Sequence, residues 1–403
     1  MTAKPHKLNI LEDKRFSCHS CGNCCRHWHV QLLPDEIDRI ASLRWPTGDP
    51  LGGQTINMVH SGQTFLAHKP NGDCIFLNAD NGYCRIHEQF GESAKPVGCQ
   101  LFPFSMHRTF GNKVSITPRH DCPSVRQNKG DRYKSNQLSK LADIVLEDAR
   151  PFSEQQRCNL DEDQIQAIVD FLSALLPSLP TVAHKAMFLY GFCDWLGHQE
   201  ASELDREALG GLYQPLVNHI NKWFEETDAS KLRKVDRYTL ANLLSMYLRR
   251  DEDVLDKRVG RIKRAASIVF FGSGKASVNA LGSMYPTGSG KSNQLFDKTH
   301  DEKLDLSLLD QLIKTRLQTL GFMGAANHHL DLLDGLRSLC LLYPMVIGTA
   351  RLFTQTDHPM DHAIGAIDHA FGRAHVLRTS AANRLVRQLL DPDVFACLMV
   401  SIS

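Results

Sequence analysis

The sequence predicts a mostly α protein in which a loop-rich, cysteine-rich segment precedes a helical domain. Eight of the twelve cysteines lie in the first 122 residues, which are also rich in glycine, proline, asparagine and histidine. From about residue 136 onward, apolar side chains recur at helical spacing instead. The composition therefore predicts two domains, residues 1–130 and residues 131–403.

The helical domain is predicted from apolar periodicity. Leu138, Leu141, Ile144 and Val145 recur at spacings of three, three and one, which is typical of the buried face of an amphipathic helix. Similar patterns cover residues 165–172, 187–195, 216–224, 238–248, 306–320 and 330–342. A Gly/Ser-rich stretch near residues 271–293 interrupts them and is predicted to be a long loop.

Charge and hydropathy argue against several partner classes. The formal net charge of +1 gives no long-range attraction to nucleic acid or to an anionic membrane, so neither is expected as a partner. The most apolar stretch, residues 339–350, is shorter than the roughly 18 to 20 residues of a membrane span and is predicted to be a buried helix. The first 16 residues lack the apolar core of a secretory signal, so we expect a cytoplasmic protein.

The eight N-terminal cysteines are suited to metal binding. Disulfides are not expected in a reducing compartment, and two C-x-x-C knuckles overlap in the run Cys-His-Ser-Cys-Gly-Asn-Cys-Cys at residues 18–25. Thiols at this spacing can reach one metal from a tight turn, and each downstream cysteine follows a Gly or Asp within three residues, which suits a loop that turns a thiol inward. The predicted metal ligands are Cys18, Cys21, Cys24, Cys25, Cys74, Cys84, Cys99 and Cys122. We expect this metal module to be held by its ligands more than by a large apolar core.

The donor set leaves alternative metals open. Soft sulfur ligands suit both zinc and iron–sulfur clusters. The eight thiols could build two tetrahedral zinc sites, or one four-iron (4Fe-4S) cluster with cysteines left for a second metal or for chemistry. The close C-x-x-C-x-x-C run is typical of ferredoxin-type ligation, which favours an iron–sulfur cluster over zinc or another iron site. Spacing alone does not say which cysteines share a metal.

Four segments together resemble one known family. They are Phe16–Cys25, Gly72-Asp-Cys74, Cys84-Arg-Ile-His87 and Lys95-Pro-Val-Gly-Cys-Gln-Leu-Phe-Pro103. Over residues 14–125 the chain resembles the CxxCxxCC (YkgJ-type) family of zinc- or iron-chelating cysteine-cluster proteins. This resemblance implies a metal-binding module.

The two-part layout is also similar to a subset of that family, flagellin lysine N-methylase, which has a long helical C-terminal half. This similarity implies a protein-lysine N-methyltransferase that uses S-adenosylmethionine and acts on a protein such as flagellin, without identifying catalytic residues. No Rossmann-type glycine fingerprint follows a strand in the sequence, so a site for that cofactor would be built in some other way. The alternative is a zinc-stabilised, non-catalytic protein-interaction module.

Several other patterns are not predicted to be binding sites. Residues 286–292 resemble a phosphate loop, but neither a strand before them nor a helix after them is indicated, so ATP binding is not expected. His358, His362 and His369 share a helix face, where a hydrogen-bonded or solvated role is favoured over metal binding. Cys193 and Cys340 lie in apolar helices and are predicted core residues. The histidines near the cysteines are each predicted to be loop or surface residues: His19, His27, His29, His87 and His120.

Overall fold

The computed structural model describes residues 6–26, 28–60, 62–133, 135–146, 160–200, 204–249, 258–282 and 285–403. Within these residues helices dominate and strands are short, and the loop-rich cysteine region comes before the long helices. The predicted fold class, a mostly α protein with a loop-rich N-terminal module and a helical domain, is confirmed.

The N-terminal region consists of short elements joined by turns. Its helices are α1 (Pro34–Ala41), α2 (Arg85–Phe90), α3 (Val97–Leu101) and α4 (Pro123–Gln127). Its strands are β1 (Lys7–Asn9), β2 (Arg15–Phe16), β3 (Asn57–His60), β4 (Gln63–Leu66), β5 (Phe104–Arg108), β6 (Lys113–Pro118) and β7 (Asp131–Arg132). Strand β6 lies between β1, to which it is parallel, and β5, to which it is antiparallel, whereas β2–β7 and β3–β4 are separate antiparallel pairs.

Two small apolar cores stabilise this region. One lies beside the cysteine loops and contains Ile40, Phe76 and Ile86. The other joins the β5–β6 sheet to helix α5 (Ser135–Val145) through side chains such as Val114 and Leu141. Helix α5 therefore packs on the N-terminal sheet although it follows the predicted domain boundary at residue 130. That boundary stays a prediction.

Long helices make up the C-terminal region. They are α6 (Glu162–Leu175), α7 (Val182–Leu196), α8 (Arg206–Glu226), α9 (Lys234–Leu248), α10 (Arg258–Gly272), α11 (Leu306–Gln318), α12 (Leu332–Arg351), α13 (Pro359–Ala370), α14 (Ser380–Leu389) and α15 (Pro392–Ile402). Several begin at a side chain that accepts a hydrogen bond from a backbone N–H of the first turn, which satisfies a group that the helix leaves unpaired. These caps are Asp161, Thr181, Asp205, Asp305, Asp331, Thr379 and Asp391.

These helices surround one large apolar core, with α12 in its interior. By length and composition alone α12 could cross a membrane, but 78% of its apolar window is buried inside the protein. Leu339 and Tyr343 are fully buried, which confirms the predicted buried helix over residues 339–350. Cys193 and Cys340 are also buried in this core, as predicted.

The first two residues of the predicted Gly/Ser-rich loop, 271–293, belong to α10, and its other described residues form turns and short 3-10 segments. After α10 ends, the chain forms a single 3-10 turn at Val278–Ala280 and a second at Ser292–Phe296. Among the described residues, no strand leads directly into residue 286 and no long helix starts directly after residue 292. The local structure therefore differs from a phosphate loop.

A turn of the N-terminal region contacts a buried ion pair of the helical region. Arg316 of α11 pairs with Asp368 of α13, and both side chains are almost completely buried. The other oxygen of this carboxylate, Asp368 Oδ2, accepts a hydrogen bond from the backbone N–H of His120 at 2.7 Å. His120 lies in a turn, in agreement with its predicted loop position, but it is only 1% exposed because this turn is inserted against α13. The N-terminal region is therefore anchored to the helical core just before its last cysteine.

Candidate metal centre

The first cysteine loop turns tightly after β2. Gly22 has a φ of 69°, a left-handed conformation that L side chains adopt rarely. A 3-10 turn follows at Asn23–Cys25, where the N–H of Cys25 donates to the Gly22 carbonyl at 2.9 Å. This turn brings Cys24 Sγ within 3.9 Å of Cys25 Sγ. Adjacent thiols therefore lie about as far apart as two sulfurs on one tetrahedral metal, which for bonds of roughly 2.3 Å is about 3.8 Å.

The second loop places Cys74 against the first. Its backbone N–H donates to the Cys25 carbonyl at 2.7 Å, and Arg26 forms an antiparallel bridge with Asp73. The Cys74 side chain is buried. Main-chain pairing, which does not depend on a bound metal, thus already joins these two parts of the cysteine set.

The third loop places Cys84 through a close approach of two backbones. A Cβ atom on Gly82 would lie only 1.9 Å from the Ser20 carbonyl oxygen, and Gly82 also has a left-handed φ of 72°. Only glycine therefore permits this contact between the third loop and the first. Cys84 is the residue just before helix α2, where backbone N–H groups point toward its side chain.

The last two cysteines are positioned by short helices. Cys99 lies within α3, whose first N–H, from Val97, donates to the buried carboxylate of Glu36 at 2.6 Å. Cys122 immediately precedes α4 and is buried. Glu36 therefore positions Cys99, and the turn anchored at His120 positions Cys122.

All eight predicted cysteines line one cavity of about 400 Å³, together with His19, His87, Lys95 and several aromatic side chains. Cys18 and Cys21 are exposed, Cys74 and Cys122 are buried, and the other four are half-buried. In the described part of the chain, no three His, Cys, Asp or Glu side chains stand as a ready-made ligand set for one ion. The thiols surround a volume rather than a point, and their assignment as metal ligands stays a prediction.

Burial raises the pKa of several thiols of this cavity. It raises the pKa of Cys74 and of Cys122 to about 12, although backbone N–H groups next to each sulfur oppose the rise. Burial raises the pKa of Cys99 well above its ordinary value, and a hydrogen bond with Cys25 together with burial does the same for Cys24. A bound cation would offset this desolvation and stabilise the thiolates, so the donor set fits a thiophilic metal or cluster.

Lys95 is a functional candidate that was not singled out from the sequence. Its ammonium group opposes the pKa rise of Cys18, Cys24, Cys84 and Cys99 because its positive charge favours the thiolate form. The residue lies four positions before Cys99, in a segment that carries part of the family resemblance. The sequence feature that could have identified Lys95 is a cationic residue close to a predicted metal-ligand cysteine. Spacing rules for metal ligands do not consider such residues.

The histidines near the cysteines occupy several environments. His19 and His87 line the cavity, while His29 stacks on His68 with ring centroids 4.3 Å apart. His27 lies outside the described residues. On α13, His369 Nδ1 lies 3.1 Å from Asp121 Oδ2 and the His362 ring packs on Phe353, which agrees with a hydrogen-bonded face rather than a metal site.

Comparison with protein families agrees with this cavity. Residues 17–123 match the model of the CxxCxxCC family, described as "Putative zinc- or iron-chelating domain". The matched segment contains all eight cysteines and ends just after Cys122. The predicted resemblance to this family is therefore confirmed over these residues.

One curated relative is an uncharacterized protein of Methanocaldococcus jannaschii, MJ0939, which is 24% identical over 129 residues. The match covers 31% of this chain and 42% of the relative, so each protein extends well beyond the shared segment. No solved structure matches the chain.

Proposed function

We propose that the N-terminal region binds an iron–sulfur cluster through its cysteine set, Cys18, Cys21, Cys24, Cys25, Cys74, Cys84, Cys99 and Cys122. The observation that carries the proposal is that thiols from separate loops all line one cavity of about 400 Å³. Thiolate ligands select iron–sulfur clusters or zinc, and a cavity much larger than one ion has room for a polynuclear centre. Such a cluster, when bound, supplies one-electron transfer.

Metal analysis of anaerobically purified protein tests this assignment. Iron with acid-labile sulfide and a broad visible absorption would support the cluster. Stoichiometric zinc with no colour would overturn it and favour the alternative, a zinc-stabilised protein-interaction module. Other iron, without sulfide, would likewise contradict a cluster.

A matched pair of cysteine variants separates ligation from burial. Cys74 and Cys340 are both buried, but only Cys74 lines the cavity. Cys74→Ala is expected to lower the metal content strongly, whereas Cys340→Ala is expected to leave it unchanged. Equal metal content in the two variants would remove Cys74 from the ligand set.

A second candidate function is modification of a protein substrate at this centre. It is favoured by the exposure of Cys18 and Cys21, because a centre that is open on one side suits catalysis better than a fully enclosed structural site. The corresponding activity is lysine methylation, with S-adenosylmethionine as methyl donor and flagellin as a candidate substrate. Mass spectrometry of flagellin incubated with metal-loaded protein and this donor tests it; methyl-lysine that also forms with the Cys74→Ala variant would dissociate the activity from the centre.

A further inference from the structure

A second, smaller cavity lies between the cysteine region and helix α13. Its volume is about 270 Å³, below the roughly 300 Å³ at which sites for drug-sized ligands begin. Cys21 and Cys24 belong to its wall as well as to that of the cysteine cavity. A ligand bound here would therefore lie directly beside the proposed metal centre.

Both signs of charge line this cavity. Three guanidinium groups, those of Arg26, Arg119 and Arg126, face two carboxylates, those of Asp121 and Asp361. Arg119 pairs with Asp121, and Arg126 Nε donates to Asp361 Oδ1 at 2.7 Å. Arg26 has no carboxylate partner within the cavity wall; it pairs with Asp73 outside the wall at 3.7 Å and its Nη1 donates to the Cys21 carbonyl at 3.1 Å. The wall thus carries a surplus guanidinium next to paired carboxylates.

Two buried polar atoms of this wall lack hydrogen-bond partners among the described residues. They are Asp121 Oδ1 and Arg119 Nε, on side chains that are each 6% exposed. The guanidinium of Arg119 lies near the rings of both Trp28 and Phe102, whose centroids are 5.2 Å and 5.0 Å from its central carbon. Buried polar groups are nearly always hydrogen-bonded, so these unpaired atoms indicate a polar ligand.

The combination selects a particular ligand chemistry. A simple anion such as phosphate would leave the buried acceptor Asp121 Oδ1 without a donor, and a simple cation would lie beside three guanidinium groups. A small molecule with one carboxylate and one ammonium group is attracted by both sets, and the indole of Trp28 offers an apolar contact.

We infer that this cavity binds a free α-amino acid with an apolar side chain. The ligand carboxylate pairs with Arg26 and Arg126, its ammonium group donates to Asp121 Oδ1, and its side chain packs against Trp28. The proposed amino-acid site does not depend on which metal the cysteines bind. The metal analysis described above and the amino-acid binding experiment can therefore succeed or fail separately.

Isothermal titration of the metal-loaded full-length chain tests the inference. L-leucine, L-methionine and L-phenylalanine are titrated separately, and saturable binding of at least one is expected. For leucine, the matched probes are 4-methylpentanoate, which lacks the ammonium group, and leucinol, which lacks the carboxylate; the corresponding analogues are used if another amino acid binds. Each analogue is expected to bind about tenfold or more weakly, because one buried charge in the wall loses its partner.

Variants assign the binding to this cavity. Asp121→Asn is expected to weaken amino-acid binding about tenfold or more by removing the charge that accepts the ammonium group. Asp357→Asn, at an exposed position two residues before the start of α13, is the charge-matched control and is expected to bind normally. Gly365→Ala provides a second test, because its methyl group would lie 3.0 Å from Arg126 Nη1 and reduce the cavity without removing a charge.

Three results would overturn the inference. These are no saturable binding by any of the three amino acids, equal binding of the analogue that lacks the ammonium group, or unchanged affinity in both Asp121→Asn and Gly365→Ala proteins that retain their metal. Binding of inorganic phosphate in place of the amino acids would also overturn it and identify a simple anion site.

Discussion

The two regions of this chain reach a folded state by different means. The helical region buries a single large core, and its helices begin at side chains that cap them. The N-terminal region has two small cores, strands of two to six residues and many turns. Apolar burial supplies most folding free energy, so we expect the helical region to be stable through its own core and the N-terminal region to rely in part on whatever its cysteines bind.

Removal of the metal should separate the two regions most clearly. If thiolate–metal bonds hold the cysteine loops together, chelation should leave those loops without their main stabilisation while the helical core persists. We expect hydrogen exchange of peptides within residues 17–123 to accelerate by orders of magnitude, with little change in peptides from α7 and α12. Uniform protection before and after chelation, measured by mass spectrometry, would contradict the comparison.

Truncation of a core side chain in the helical region should have the opposite effect to metal removal, because it should destabilise the helical core and leave metal binding unchanged. Phe188 is fully buried in α7, so Phe188→Ala should lower the free energy of unfolding by about 3 to 5 kcal/mol. Metal content per folded chain should stay the same. Phe270→Ala, at a position that is 50% exposed, is the control and should cost much less. Denaturant unfolding of both variants, with metal analysis, makes the measurement.

The comparison also shows what sequence patterns can predict. Helices such as α7 and α12 were predictable because an apolar periodicity of 3.6 residues depends only on local order along the chain. The cysteine set was predictable as a group, since few residue types bind soft metals and they were clustered. Three other features depend on contacts between distant segments, which spacing does not encode. They are the position of Glu36 under α3, the cation of Lys95 and the insertion of His120 against Asp368.

The cavity beside α13 illustrates the same limit. Arg126 and Asp361 are 235 residues apart in sequence, and neither stands in a motif that indicates a site. His369 was expected to lie on a solvated or hydrogen-bonded face, but its partner Asp121 could be identified only from the fold. Metal-binding chemistry was therefore visible in residue type and spacing, while the charge pattern around it required the tertiary structure.

The contact between the regions provides an intermediate test. Asp368→Asn would leave the buried Arg316 without its counter-charge, which should cost about 3 kcal/mol or more. It would also weaken the acceptor for the His120 N–H, so exchange around Cys122 should increase. The control is Asp334→Asn, because the ion pair of Asp334 with Arg337 is solvent-exposed and worth less than about 1 kcal/mol. Equal destabilisation of the two variants would mean that burial does not increase the contribution of the Arg316–Asp368 ion pair to the free energy of unfolding.

Acid should produce the smallest of these effects, at a position outside the cysteine loops. Burial lowers the pKa of His107 in β5 to about 4, and the charge of Arg316 acts in the same direction. Between the ordinary pKa of about 6.5 and this folded value, only the unfolded chain takes up the proton, so the contribution of His107 to stability is present above that range and is lost as pH falls through it. From pH 7 to pH 5 the loss from this one residue should be about 2 kcal/mol.

His107→Gln removes the titrating ring, so the variant should lose about 2 kcal/mol less unfolding free energy than the wild type between pH 7 and pH 5. His219→Gln, on the exposed face of α8, is the control and should retain the wild-type slope. Denaturant titrations at several values of pH between 7 and 5 distinguish the two. An unchanged slope in His107→Gln would mean that the ring is not held neutral where the N-terminal sheet meets α11, and would weaken the case that this contact excludes water.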